Sequence, residues 1–170
     1  MSAHRFVKFL LVFAFLCCVM NAVAQQTAAI SPLTPYGPPV SVETARKAAA
    51  AAVAEARKNN WLMAVAVVDP AGDLVYYEKM DNAQLGSAKV AVNKARSAAL
   101  FKRPTKAFQD AVAGGGAGLR VLGLEGAVPV EGGVPLLVDG KIIGAIGLSG
   151  DTSEHDGQCA RAGADAIQKP

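Results

Sequence analysis

The stretch Glu131-Gly-Gly-Val-Pro-Leu-Leu-Val-Asp-Gly-Lys-Ile-Ile-Gly-Ala-Ile-Gly-Leu-Ser-Gly150 decides how the rest of the chain is read. It holds two apolar runs, 134–138 and 141–148, joined by Asp139-Gly140. Asp-Gly between hydrophobic runs predicts a two-residue hairpin, because both central residues of a type I′ turn need positive φ. The runs are almost continuously apolar, which puts these strands under cover on both faces or at a sheet's centre. Small residues recur at Gly144, Ala145, Gly147, Ser149 and Gly150, where a closely packed helix or ligand excludes larger side chains.

The N-terminus follows different rules. Arg5 and Lys8 form a positive region, 9–20 is apolar, and Ala22-Val23-Ala24 is a small-residue cleavage site before Gln25. That is the pattern of a secretory signal peptide over residues 1–24. The apolar run is short for a membrane span, so no stable span is expected after processing; a retained anchor is the alternative. A periplasmic or secreted protein is the expectation. Removing 24 of the 170 residues leaves 146, enough for one domain with a sizeable core. Arg5 and Lys8 leave too, so 17 basic residues become 15 against 14 acidic ones. Such a balance gives no grounds for nucleic acid or an anionic membrane as partner. Cys159 is the one cysteine left and reads as a small buried hydrophobe on a helix, with an intersubunit bridge or a metal ligand as alternatives.

Residues 25–40 carry Pro32, Pro35, Pro38 and Pro39 and read as a Pro-rich arm, either a plain linker or a segment packed on a neighbouring subunit. Ser41 is a plausible N-cap with Glu43 in the first turn. An Ala-rich helix is predicted over 42–58, with Ala45, Ala49, Ala52, Val53 and Ala56 on one narrow face. A strand over 61–68, a turn at Asp69-Pro70-Ala71-Gly72-Asp73 and a return strand over 74–79 make a second hairpin, with Tyr76 and Tyr77 on opposite faces. Helices are predicted over 86–101 and from Pro104, at its first position, to about 113. Gly114-Gly115-Gly116-Ala117-Gly118 is a break, and it fits neither a dinucleotide fingerprint nor a Walker A motif. The stretch 119–130 reads as a weak strand or a loop. Asp151, Thr152 or Ser153 caps a last helix to about 167, whose Cys159, Ala160, Ala162, Gly163, Ala164 and Ile167 can pack on the sheet. Hairpin-joined strands between helices argue for one α/β domain of the α+β kind over 41–170, an antiparallel sheet with packed helices.

Candidate chemistry is sparse. His155 is the one histidine after processing, so a multi-histidine metal site within one subunit is excluded. His155 and Cys159 lie four apart on a helix, on one face, and form a candidate metal or haem-iron pair; a cap-proximal histidine and a buried cysteine is the preferred, blander account. Glu78 and Asp81 are candidate ligands for a hard cation, or simply solvated charge. A Ser–His–Asp triad lacks its nucleophile elbow. The most asymmetric feature is positive charge: Lys89, Lys94, Arg96, Lys102, Arg103 and Lys106 with no acid between Asp81 and Asp110. Within it, Phe101-Lys-Arg-Pro-Thr-Lys-Ala-Phe108 joins two rings, three cations and a hydroxyl at a helix start. Such a start attracts carboxylate or phosphate, and adjacent apolar surface accepts the rest of an amphipathic ligand. An anionic, flat, hydrophobic molecule such as haem fits. Solvated cations and core phenylalanines account for the same residues.

Three segments resemble the GlcG/HbpS-like proteins, also found as the C-terminal domain of some PduO-type adenosyltransferases. They are Ala64-Val-Ala-Val-Val-Asp-Pro-Ala-Gly-Asp-Leu-Val75, Lys94-Ala-Arg-Ser-Ala-Ala-Leu-Phe-Lys-Arg-Pro-Thr105 and, above all, the opening stretch. The resemblance implies an antiparallel, profilin-like sheet in a homo-oligomer, with octamers known. For exported members it implies haem binding, sometimes with iron handling or redox sensing, and the family often carries the label haem-degrading. Thr105 matches a threonine that contributes to iron coordination in one exported member, whereas the histidine used elsewhere in the family has no counterpart here. His155 stands where many relatives have Gln. The resulting expectation is an exported haem-binding protein that sequesters or senses haem, with a non-enzymatic role placed ahead of catalysis. Lys102, Arg103 and Lys106 would pair with the propionates, Phe101 and Phe108 would line the porphyrin, and Thr105 would approach the iron. The alternatives are a haem-degrading or other small-molecule redox enzyme, and an oligomeric binding module for a different small anion.

Overall fold

Asp139 and Gly140 both hold positive φ, 49° and 71°, and the type I′ geometry they provide joins β3 (Gly133–Val138) to β4 (Lys141–Ser149) as an antiparallel pair. This is a computed structural model that describes residues 33–168; the signal peptide read at 1–24 and the first part of the arm, 25–32, lie outside the described residues. The second hairpin is β1 (Ala64–Val68) and β2 (Leu74–Lys79). Its turn is held by the Asp69 carboxylate, which accepts from the backbone N–H groups of Ala71 and Asp73, each at 2.9 Å. The two hairpins meet through β1 and β4, giving one four-stranded sheet in the order β2-β1-β4-β3 with every pairing antiparallel. So β4 is central, as its unbroken apolar run requires, while β3 is an edge strand.

Helices cover both faces. Ser41 caps α1 (Val42–Lys58) by accepting from the Thr44 N–H at 3.1 Å. The small face of α1 packs with α4 (Ser153–Gln168) over Val65, Val67, Ile146 and Leu148 on one side of the sheet. On the other side α2 (Ser87–Leu100) lays Ala91, Ala95, Ala98 and Ala99 on Ala64, Ala66, Val68 and Ala145. Alanine against alanine brings helix and sheet close together, and Gly147 is where they meet: a Cβ there would lie 2.5 Å from the Ala95 nitrogen. Helix α2 packs over β4, β1 and β3 and stops short of β2.

Four details differ from the sequence expectation. Strand β1 starts at Ala64 rather than at 61. Helix α3 runs Lys106–Ala113, so Pro104 precedes the helix instead of occupying its first turn. Residues 119–130 form no strand: a 3₁₀ helix spans Gly116–Gly123 and buries none of its residues, and its apolar side chains have no alternation that a sheet could use. The described part of the arm packs on its own domain. The Gly37 and Val40 N–H groups donate to the Ile142 and Ile143 carbonyls at 2.8 Å, continuing the line of β1 alongside β4.

Candidate functional site

The basic Pro-Thr segment is used up by the fold. Thr105 is fully buried; its Oγ1 accepts from the Gly133 N–H at 2.9 Å, and its own N–H donates to the Gly133 carbonyl at 3.0 Å. Both polar groups of Thr105 are therefore engaged with Gly133 beneath the surface. Phe101 and Phe108 meet edge to face at 5.3 Å, and Phe108 is buried. The three cations diverge. Lys102 donates to the Thr34 carbonyl and lies 4.3 Å from the Tyr36 ring centre. Arg103 covers the Phe108 ring and donates to the Phe101 carbonyl. Lys106 pairs with both Asp110 oxygens at 2.7 and 2.8 Å, and that carboxylate holds its ammonium above the ordinary lysine value. The three cations of the expected propionate clamp are thus each turned to a different partner.

The metal candidates also separate. The ring of His155 stacks on Trp61 with centroids 3.8 Å apart, and Nδ1 sits 2.7 Å from Asp151 Oδ1. Cys159 points inward and is fully buried, with burial the leading cause that pushes its thiol up to about 12. Glu78 accepts the Tyr76 hydroxyl at 3.0 Å, and Asp81 is exposed. Among the described residues no three His, Cys, Asp or Glu side chains form a metal-holding group. Cys159 should therefore stay inert to a thiol reagent in the folded protein and react on unfolding; rapid reaction under native conditions would contradict its placement.

The glycine motif before β3 proves to be a polar clamp. The Val128, Glu131 and Gly133 N–H groups donate to Ser97 Oγ, Gln109 Oε1 and Thr105 Oγ1 respectively, tying one loop to α2, α3 and the start of α3. Arg161 of α4 donates to Glu131 at 2.6 Å. Beside Gly132, Lys94 of α2 pairs with Asp156 of α4 at 2.6 Å, both almost fully buried. Side chains from three helices converge here because Gly132 and Gly133 leave room: a Cβ on Gly132 would lie 2.8 Å from Lys94 Nζ, and one on Gly133 would lie 2.7 Å from Thr105 Cγ2.

A groove remains on the α2 side of the sheet, where that helix stops short of β2. It has a volume of about 420 Å³. Leu74 and Tyr77 line it from β2, and Ala88, Lys89, Val92, Asn93 and Arg96 from α2. Tyr77 faces it because its partner in the register is Ala66, whose side chain lies under α2. Arg96 is fixed by an Nε–H donated to the Gly72 carbonyl at 3.0 Å. Among the described residues neither Lys89 nor Arg96 makes an ion pair. Two such cations, seven residues apart on one helix, are separated by about 10 Å along its axis. The acid-free stretch and the seven-residue spacing were the available signals; the exposed face of β2 was not, since it depends on where α2 lies.

Layered helices on both faces of a four-stranded antiparallel sheet define the domain as α+β, of the profilin-like kind expected. The family described as haem degrading protein HbpS-like matches residues 40–165, and the chain belongs to that family. Protein GlcG of Escherichia coli K12 is 40% identical over 110 residues, which span 65% of this chain and 81% of that protein. A double mutant of HbpS from Streptomyces reticuli has a crystal structure that superposes with a TM-score of 0.69 at 30% identity, covering 84% of this chain and 97% of that one. The crystal structure of a PduOC–haem complex superposes with a TM-score of 0.67 at 30% identity, covering 75% of this chain and 94% of that one.

Proposed function

We propose that this protein is exported and binds haem, to sequester or sense it, and that it does so as a homo-oligomer. The observation that carries the haem reading is the groove between β2 and α2, which is apolar along its walls and rimmed by two cations with no carboxylate partner among the described residues. A porphyrin is flat and apolar with carboxylates on one edge, so its ring suits Leu74, Val92 and Tyr77 while its propionates suit Lys89 and Arg96. Family membership and the related haem complex support the same ligand. Bound haem would supply a redox-active iron; the residues of this chain would hold and orient the ring and limit water at one face.

Haem titration of the mature chain tests the proposal. A saturable Soret shift is expected, weakened about tenfold or more in a Lys89→Ala, Arg96→Ala double variant. A Lys102→Ala, Lys106→Ala double variant should bind as the parent does. No shift, or a shift sensitive only to the second pair, would reject the groove as the site. Adding a reductant and following iron release separates a binding protein from a haem-degrading one.

A further inference from the structure

We infer that Tyr77 is the axial ligand of the bound iron. The inference rests on the haem reading above and names the atom that reading leaves open. The chain contains three tyrosines, all among the described residues. The Tyr36 hydroxyl donates to the Ala99 carbonyl at 3.0 Å, and the Tyr76 hydroxyl to Glu78 at 3.0 Å. Tyr77 has no hydrogen-bond partner among the described residues, and it alone of the three lines the groove. The residue is 38% exposed, on the open side of the groove.

Rival donors fall away by position. Thr105 is sealed against Gly133. His155 sits on α4, which packs on the opposite face of the sheet, with its ring held between Trp61 and Asp151. Within the groove, the Asn93 amide is a poor ligand for iron, and Lys89 and Arg96 stand at the rim where the propionates would lie. Phenolate oxygen, in contrast, is an established haem ligand. With ferric haem bound, Tyr77 Oη would hold the iron as a phenolate, its proton having passed to solvent. The adjacent cations, Lys89 and Arg96, would match the two propionates in number and sign, leaving the phenolate to the iron.

The experiment compares ferric haem with metal-free protoporphyrin IX on the mature chain and on Tyr77→Phe, with circular dichroism to show that the variant is folded. The wild-type protein is expected to bind both porphyrins and to show iron-tyrosinate vibrations by resonance Raman spectroscopy. In Tyr77→Phe, haem affinity should fall about tenfold or more with loss of those vibrations, while protoporphyrin affinity stays within about twofold of the parent. Equal haem affinity and an unchanged spectrum in the variant would overturn Tyr77 as the ligand while leaving haem binding intact. Loss of both porphyrins in the variant would make Tyr77 a wall of the groove and not a ligand. A wild-type chain that binds neither porphyrin would remove the haem reading itself.

Discussion

Replacing Lys94 by methionine is expected to destabilise the folded chain by about 3–5 kcal/mol, the range found when one member of a buried ion pair is removed. Lys94 and Asp156 are 2.6 Å apart with almost no exposure, so the variant would leave the carboxylate in a dry site with its main partner gone. Burial already outweighs the attraction of Lys94 and holds the Asp156 carboxyl above its ordinary value. A folded state that binds a proton more tightly than the unfolded state gains most below the unfolded aspartate range, near about pH 4, and loses that gain as pH rises through the folded value. Without Lys94 the carboxyl should rise further. The deficit of Lys94→Met relative to the parent should therefore narrow between about pH 7 and pH 5. Urea midpoints at the two pH values measure this, and a pH-independent deficit would contradict it. The Lys94→Met, Asp156→Leu double variant should be less destabilised than Lys94→Met alone, because no unpaired charge remains.

Gly147→Ala should cost about 3 kcal/mol, near the upper end for overpacking a core. The new Cβ would meet the Ala91 carbonyl oxygen and lie 2.5 Å from the Ala95 nitrogen and 3.0 Å from the Ala95 Cβ. Those atoms belong to the helix backbone or its first side-chain carbon, so no rotamer change relieves them. Helix α2 would have to lift from β4, loosening the alanine layer on Ala64, Ala66, Val68 and Ala145. Gly86→Ala, where a Cβ meets nothing within 4 Å, should stay within about 0.5 kcal/mol of the parent. Thermal denaturation of both variants gives the comparison, and equal losses would show that chain flexibility rather than space governs Gly147.

The same close approach shapes the groove. Because α2 sits tightly on β4, β1 and β3, the α2-facing side of edge strand β2 is left open, with Leu74 and Tyr77 half exposed. The glycine-rich motif therefore acts at a distance: it lets the helix settle where the groove can form, and the ligand atoms come from other elements.

Much of this was legible in the chain. The Asp139-Gly140 turn, the Ser41 cap, the Ala-rich face of α1 and the strand at 74–79 depend on partners a few residues away, so local composition determined them. The pairing of Lys106 with Asp110 is of the same kind, one helical turn apart. Other outcomes depended on contacts across the whole domain. Lys102 reaches Thr34 across 68 residues, Lys94 reaches Asp156 across 62, and Thr105 meets Gly133 across 28. Charge and hydroxyl chemistry in one short segment reads as a ligand site, and its distant partners at Thr34 and Gly133 are visible only in the fold. Sequence alone determined the elements, the hairpins and the family resemblance, because propensity and turn chemistry are local. Tertiary structure alone decided which cations and which tyrosine hydroxyl have no partner among the described residues, because burial and pairing follow from where α2 lies on the sheet.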